Sequence, residues 1–510
     1  MLFSGSTFRE QTYPSHIGGV MEGVYRNALG FAPFISHERF AIYLRILLEG
    51  GEFHDLGKLD LDNQAVLDGR VSLPHLPVEH RDAGVHYLMT QLENRHAAAL
   101  VHSHHRPGLP NLLEERASRD PFRFASVKEA TDKKLAQYLE LHKREMEGVR
   151  RRVLADAALP LPKRLDALEY RMLLSCLVDA DYSDAGGEAE EPSCGNPRWK
   201  ERLDSLNAYV QDLGAKAKHP DSVRNQLRQR FYLESLEAAI SSFLEYCDAP
   251  VGSGKTTAIL AHILKLAYHF NLRHIFVVVP FTNIITQTVR ELKKALRLPD
   301  EENANLVVAE HHHNADFDSL ELRHLSTTWR LPVIVTTAVQ FFETLASNVP
   351  SKLRKLHQLP GSAVIIDESH AALPAPLMPL AWKWMDELTE HWGCRFCLCS
   401  GTSFRFWSLP AFTSIAAKEV TPLLSEDLTN QLSDHERERV NLRAYDGEAS
   451  HFSGAGALVN HIEKMCIRDS LCGILWEIKT LHRAVSPDGR KRGGKLRVAA
   501  AFCISDNTLN

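Results

Sequence analysis

Apolar positions in the first third of the chain recur at helical spacing. "HERFAIYLRILLEG" from His37 and "PKRLDALEYRMLLSCLVDA" from Pro162 repeat every three to four residues and lack the alternation of a strand. Residues 1–185 are therefore predicted to be mainly helical. "SDAGGEAEEPSCGNP", Ser183 to Pro197, interrupts the pattern with Gly, Glu and Pro and marks the best domain boundary. A further helical stretch, "VRNQLRQRFYLESLEAAISSFLEY", runs from Val223. From Cys247 the texture changes. "HIFVVVP", "PVIVTT", "AVIIDE" and "RFCLCSGT" are short continuous apolar runs separated by helical segments. Such runs suit strands of a parallel sheet covered on both faces. The pattern predicts a multidomain chain: an all-α domain at 1–185, a connector at 186–235, an α/β domain at 236–415 and a weakly patterned tail at 416–510.

A length of 510 residues exceeds what one hydrophobic core serves, which agrees with two or three domains. The chain is 44% hydrophobic and 24% charged, ordinary for a globular protein, with a net charge of −5. No global basic field is present, so any nucleic-acid partner must be held by local patches. No apolar run is long enough to span a bilayer, and "MLFSGSTFREQTYPSH" lacks the order of a secretory signal. A cytoplasmic protein with no membrane partner is expected. Cys394, Cys397 and Cys399 in "CRFCLC" read as buried strand residues, because no second Cys pair stands at metal-ligand spacing.

The first 110 residues hold ten histidines: His16, His37, His54, His75, His80, His86, His96, His102, His104 and His105. "GGEFHDLGKLD" sets His54 beside Asp55, one imidazole and one carboxylate donor. "VEHRDAGVHYL" adds His80, "VHSHHRPG" adds His104 and His105, and "LSCLVDADYSDA" adds Asp179 with Asp181 nearby. A mixed His and Asp set of this kind tolerates two ions, and two ions about 3.5–4 Å apart clamp the attacking and leaving oxygens of a phosphodiester. Nitrogen-rich ligation favours Mn, Fe, Co or Ni over Mg. Lys58 is a candidate for balancing phosphate charge beside them.

"APVGSGKTT", Ala249 to Thr257, is a P-loop with Ala249 where the strict motif has Gly. Gly252, Ser253, Gly254 and Thr257 form the phosphate cradle, Lys255 reaches the β- and γ-phosphates, and Thr256 holds Mg²⁺ with ATP. "SAVIIDESH" puts Asp367 and Glu368 at the end of a buried strand: Asp367 for the magnesium, Glu368 for the attacking water, His370 for the γ-phosphate. "AEHHHNAD", with His311, His312 and His313, reads as a solvated loop.

The order His16, His54-Asp55, His80, His104-His105 and a helical Asp resembles the HD phosphohydrolase superfamily. That resemblance implies His16, His54, Asp55, His80, His104, His105 and Asp179 as ligands, with Asp181 and Asp184 competing for the last place. "DESH" resembles motif II of superfamily 2 helicases, and the stretches around it look like further motifs of that family. Thr282 and Gln287 in "VVPFTNIITQ", with Thr336 and Thr337 in "IVTTAVQFFETL", would touch nucleic-acid backbone; Ser400, Gly401 and Thr402 in "CSGTSF" would couple ATP to movement.

An HD domain followed by a DExH motor resembles the CRISPR-associated helicase-nuclease of type I interference systems, from Ser15 to about Pro410. The resemblance implies a metal-dependent nuclease acting on single-stranded DNA, driven by ATP and recruited by an RNA-guided surveillance complex. Competing expectations are a nucleotide phosphohydrolase with an NTP-binding regulatory domain, and a non-catalytic fragment. About 100 residues follow "CSGTSF", too few for a second RecA-like lobe, and no Q-x-x-G-R-x-x-R stretch occurs among them. Either the chain is a fragment, or the sequence after about Lys464 belongs to another frame; the abrupt loss of texture favours the latter. A chain lacking the second lobe's arginine finger would bind ATP yet turn it over on the order of 10³–10⁵ more slowly.

Overall fold

The computed structural model describes residues 11–105, 108–110, 128–149, 159–187, 196–301, 303–311, 320–401, 405–441 and 504–505. Its first part is helical, as the pattern predicts: α1 Tyr13–Phe31, α2 His37–Phe53, α3 Leu61–Leu67, α4 His80–Thr90, α5 Arg95–Ser103, α6 Lys128–Glu145 and α7 Ala167–Ala185. Local chemistry starts these helices. Thr12 and Ser36 cap α1 and α2 through their hydroxyls, and Asp166 with Glu169 forms a reciprocal capping box on α7. Ile17, Val20 and Val24 of α1, Leu44 and Leu47 of α2, and Leu173 and Leu177 of α7 share one buried core.

Two glycines bring α4 against the turn that follows α2. A Cβ at Gly84 would run into the carbonyl of Phe53, and a Cβ at Gly57 would lie 2.5 Å from the carbonyl oxygen of His80. Backbone thus meets backbone where His54, Asp55 and His80 sit.

The second part is a layered α/β structure. Helices α8 Trp199–Ala215 and α9 Val223–Glu237 precede β1 Leu244–Asp248, α10 Lys255–His269, β2 Ile275–Val279, α11 Thr282–Leu296, β3 Val308–His311 and α12 Leu320–Thr327. There follow β4 Val333–Thr337, α13 Ala338–Ala346, α14 Pro350–Leu353, β5 Ala363–Ile366, α15 Met378–His391, β6 Arg395–Ser400, α16 Pro410–Thr413, β7 Thr421–Pro422 and α17 Glu426–Arg439. The sheet order is β3-β4-β2-β5-β6-β1-β7, and every pairing is parallel. Val277 stands opposite Val335 on one side and Ile365 on the other. Strands β2, β4, β5 and β6 are buried throughout, so helices cover both faces. Cys394, Cys397 and Cys399 are buried at or in β6, as read from sequence.

Several expectations are revised. The helical run from Val223 stops at Glu237, and Leu244–Asp248 becomes a strand because it fills the slot between β6 and β7. Strand pairing there outweighs the helical pattern. The connector is part of the layer: Trp199, Leu206, Leu227 and Phe231 pack into the sheet's core. That core also runs beyond 415, through Leu423, Leu428 and Leu432. His311 is not in a loop. It ends β3, buried, and accepts a hydrogen bond from Trp329 Nε1 at 2.9 Å. His312, His313, Thr402 and the tail after Lys464, apart from Ile504–Ser505, lie outside the described residues.

Both parts belong to one compact unit, Met1–Leu432; Ser433–Asn510 is a second, in which Val440–Asn441 pairs antiparallel with Ile504–Ser505. Within the first unit α7 docks on the α/β part. Ser175 Oγ donates to the Leu353 carbonyl at 2.6 Å and accepts from the His357 amide at 3.0 Å. Tyr43 stacks on Trp392 with ring centroids 5.6 Å apart. Among the described residues, no helix is long and apolar enough to cross a membrane.

Two outcomes follow from this packing. Gly84→Ala forces α4 off α2 and lowers stability by about 1–3 kcal/mol, read from urea midpoints. His274 ahead of β2 donates Nδ1–H to the Leu331 carbonyl at 2.8 Å. Burial, with the charge of Arg273, pushes its pKa down to about 3. A depressed folded pKa gives stability that is present above the unfolded value of about 6.5 and lost as pH falls towards the folded one. Thermal midpoints should therefore drop as pH is lowered below about 6.5, and His274→Asn, which keeps a donor without titrating, should flatten that slope.

Candidate metal centre and nucleotide site

Five helices aim side chains at one point. α1 supplies His16, the end of α2 supplies His54 and Asp55, α4 opens with His80, the end of α5 supplies His104 and His105, and α7 supplies Asp181. His16 Nε2 lies 3.1 Å from Asp55 Oδ2, 3.4 Å from Asp181 Oδ1 and 3.3 Å from His54 Nε2. His80 Nε2 lies 3.7 Å from Asp55 Oδ1. Among the described residues, three triads have ligand atoms within 4.8 Å of one another: His16, His54 and Asp55; His54, His104 and Asp181; His80, His104 and His105. Asp55 faces both ends, with Oδ2 towards His16 and Oδ1 towards His80.

The rings are oriented from behind. His54 Nδ1 meets the Gly51 carbonyl at 2.8 Å, and His104 Nδ1 meets the Val101 carbonyl at 2.6 Å. A carbonyl only accepts, so each Nδ1 carries a proton and each Nε2 is the atom turned to the centre. Asp184 Oδ2 holds His16 Nδ1 at 2.5 Å and accepts from Gln11 Nε2 at 2.8 Å. Lys58 Nζ stands 2.5 Å from Asp55 Oδ2.

Electrostatics divide the centre. Burial opposes charge on Asp55, yet His54, Lys58 and a hydrogen bond from His16 hold it well below the usual carboxylate range. Asp181 is held low against burial by hydrogen bonds from His16 and His54. These acids in turn overcome burial at the rings: Asp55 and Asp181 lift His54 to about 9, and Asp181, Asp184 and Asp55 lift His16 well above the ordinary value. On the other side, burial pushes His80 down to about 3, with Lys58 and His105 adding to it against Asp55. Burial likewise pushes His104 and His105 down. Neutral imidazoles there and a carboxylate-rich pocket beside them form a donor set suited to divalent cations. Asp55 Oδ1, His80 Nε2 and His104 Nε2 are buried with no hydrogen-bond partner, and an ion would satisfy all three.

The expected ligand Asp179 is not brought to this point. It is buried and bound by Arg330 Nη2 at 2.6 Å and Arg354 Nε at 2.7 Å, both from the α/β part. Asp181 reaches the centre instead. Asp179 and Asp181, two apart, lie roughly 200° from one another round the helix, whereas Asp181 and Asp184, three apart, share a face. That spacing is the sequence signal that favours Asp181 over Asp179. No such signal marks Arg330 or Arg354, whose partner is distant in sequence.

The nucleotide site forms at the carboxyl edge of the sheet. Ala249 continues the ladder by donating to the Ser400 carbonyl at 3.0 Å, so the turn does not need Gly there. Gly252 and Gly254 supply the left-handed backbone, with φ of 80° and 88°. Ser253 Oγ and Thr257 Oγ1 donate to the Pro250 and Gly254 carbonyls, while Thr256 is exposed. Lys255 Nζ lies 3.0 Å from Asp367 Oδ1 and 2.8 Å from Glu368 Oε1. Those carboxylates raise its pKa against burial. Glu368 has φ 47°, a conformation unfavourable for a side chain with a Cβ. It turns towards the neighbouring strand end, 3.4 Å from the Gly401 amide, and His370 Nδ1 is 2.9 Å from Ser400 Oγ.

The four candidate nucleic-acid contacts separate. Gln287 is exposed on α11, and Thr282 opens that helix. Thr337 caps α13, accepting from the Gln340 amide at 3.1 Å. Thr336 is fully buried and donates to the His311 carbonyl at 2.8 Å, so its hydroxyl faces the sheet and not a ligand.

Residues 233–403 match the DEAD/DEAH box helicase family. The α/β part is thus a DEAD/DEAH helicase domain, a RecA-like lobe behind an all-α domain. The fold is shared with Cas3: T. fusca Cas3–ADP aligns with a TM-score of 0.51 at 14% identity, covering 81% of this chain and 52% of that one. T. fusca Cas3–AMPPNP aligns at 0.48 with 17% identity over 87% of this chain and 52% of that chain. A CRISPR RNA-guided surveillance complex in a pre-nicking state contains a chain aligned at 0.43 with 15% identity, over 86% of this chain and 49% of its own. The chain spans about half the length of these structures. No curated protein sequence matches it.

Asp179→Asn strips a buried charge from between two arginines. It should lower stability by about 3–5 kcal/mol, measured by urea unfolding.

Proposed function

We propose that this chain is a Cas3-like helicase-nuclease of CRISPR antiviral defence, in which a metal-dependent nuclease centre cuts single-stranded DNA supplied by an ATP-driven lobe. One observation carries the reading: His16, His54, Asp55, His80, His104, His105 and Asp181 converge from five helices in the same compact unit as a DEAD/DEAH helicase domain. Those residues would hold two divalent transition ions, Mn, Fe, Co or Ni. When bound, the ions supply Lewis-acid stabilisation of the phosphodiester and a nucleophile at neutral pH.

The chain's own groups do the rest. Asp55 would serve both ligand sets, since Oδ2 faces His16 and Oδ1 faces His80, with His54 beside it. Lys58, 13% exposed beside Asp55, offers a cation to the phosphate at the rim of the site. In the lobe, Gly252, Ser253, Gly254, Lys255, Thr256 and Thr257 would cradle ATP, and Asp367 would orient magnesium. Glu368, near Lys255, would align the attacking water, and His370 would report on the γ-phosphate. Ser400 and Gly401 touch His370 and Glu368, which suits coupling between hydrolysis and movement. Thr282, Gln287 and Thr337 lie on elements that leave the sheet's carboxyl edge, where backbone contacts hold a strand without reading bases. An RNA-guided surveillance complex is the proposed recruiting partner, and the cytoplasm the proposed site of action.

Cleavage of circular single-stranded DNA under a series of Mn²⁺, Fe²⁺, Co²⁺ and Ni²⁺ tests the nuclease. The wild type should cut and Asp55→Ala should not; equal cutting by both would sink the assignment. A panel of nucleotides run in parallel excludes a nucleotide phosphohydrolase. Lys255→Ala should weaken binding of a fluorescent ATP analogue about 10–100-fold, the loss of one charged hydrogen-bond partner, while leaving metal-dependent cutting intact.

A further inference from the structure

Helix α7 carries polar groups on opposite faces of a single turn. Asp181 points to the metal centre, and Asp179 and Ser183 point to the helicase lobe. Asp179 and Ser183 are four residues apart and lie on one face. Arg354 bridges them, donating Nε to Asp179 Oδ1 at 2.7 Å and Nη2 to Ser183 Oγ at 2.7 Å. Arg330 holds the second oxygen, Oδ2, at 2.6 Å. Asn27 of α1 joins them, with Nδ2 3.4 Å from Asp179 Oδ2 and 3.1 Å from the Cys176 carbonyl. Gly23 lets α1 lie against Ala180, where a Cβ would come within 2.8 Å of the alanine methyl. The turn between Asp179 and Ser183 is therefore gripped on one side by α1 and on the other by two guanidiniums of the lobe.

We propose that Arg354, supplied by the helicase lobe, is a positioning residue of the metal centre: by bridging Asp179 and Ser183 it fixes the α7 turn that presents Asp181. The inference rests on the metal-centre reading above. Its reason is geometric. Asp181 meets His16 and His54 at 3.4 and 3.7 Å, and a rotation of this turn by a few degrees moves its carboxylate away from both. A residue that only held the two parts together would not need to span both ends of this turn. Arg354 immediately follows α14 and leads into β5, which Asp367 follows directly; Arg330 leads into β4. The same lobe segments thus bear on the nuclease centre and on the nucleotide site.

Titration of the full chain with MnCl₂ in a calorimeter, without nucleotide, tests this, with Asp55→Ala as the blank. Arg354→Ala should bind Mn²⁺ about tenfold more weakly than wild type, the usual effect of losing a group that orients a ligand. Its fold should persist, because Arg330 still pairs with Asp179, and binding of the fluorescent ATP analogue should be unchanged. Arg354→Lys, which can hold Asp179 but cannot fork to Ser183, should fall between the two. Ser183→Ala removes one hydrogen bond and no charge; it decides the matter if Arg354→Ala fails to fold, and should weaken Mn²⁺ binding about threefold, the worth of one neutral hydrogen bond. Wild-type Mn²⁺ affinity in folded Arg354→Ala, or in Ser183→Ala where that variant must decide, would overturn the inference while leaving the metal centre standing. No difference between wild type and Asp55→Ala would overturn the metal centre itself, and this inference with it.

Discussion

A buried carboxylate must be answered by positive charge or by hydrogen bonds, and that constraint organises this protein. Helix α7 carries two such groups two residues apart, Asp179 and Asp181, both almost wholly inaccessible to water. Helical geometry turns them to opposite sides, so one partner cannot serve both. Asp179 finds its counter-charge in Arg330 and Arg354 of the helicase lobe; Asp181 finds His16 and His54 within the helical part. The helix is thereby committed to both neighbours, and the two parts cohere through a charged seam as well as an apolar one. Breaking such a pair is far more costly than its net contribution suggests, because the remaining charge stays buried.

The cluster of histidines and aspartates shows the same rule in a graded form. Where Asp55, Asp181 and Asp184 cluster, the neighbouring rings are drawn towards their charged form; where carboxylates thin out, burial keeps His80, His104 and His105 neutral. Backbone carbonyls behind His54 and His104 fix which nitrogen faces inward. The lobe solves a parallel problem with different means. Its parallel strands end at one edge, so the P-loop after β1, the acids after β5 and Ser400 at the end of β6 meet there with little further arrangement. Lys255 sits between Asp367 and Glu368, and Glu368 takes a left-handed backbone to reach it.

Much of this was legible in the sequence. Continuous apolar runs such as "HIFVVVP" and "AVIIDE" marked buried parallel strands, because a strand covered on both faces has no polar side to alternate. The P-loop and "DESH" are local motifs whose chemistry depends on neighbours in sequence, so their placement at one edge was readable too. The spread-out histidines were readable only as a set. His311 shows the opposite case: beside two more histidines it looked like solvated loop, yet it closes β3 against Trp329, a partner 18 positions away. Leu244–Tyr246 looked helical until β6 and β7 claimed it from either side.

By itself the sequence determined the two architectures, the phosphate-binding loop with its acidic partner, and which histidines were available to converge. It did not determine which aspartate of α7 faces them, or that Thr336 spends its hydroxyl on the His311 carbonyl. Those choices belong to the tertiary structure. Local pattern fixes a residue's angle on its own helix or strand, but the group it meets there comes from another segment: the His311 carbonyl 25 residues from Thr336, and Arg330 and Arg354 more than a hundred residues from Asp179. Only folding brings such partners within the few ångströms over which buried charge must be neutralised.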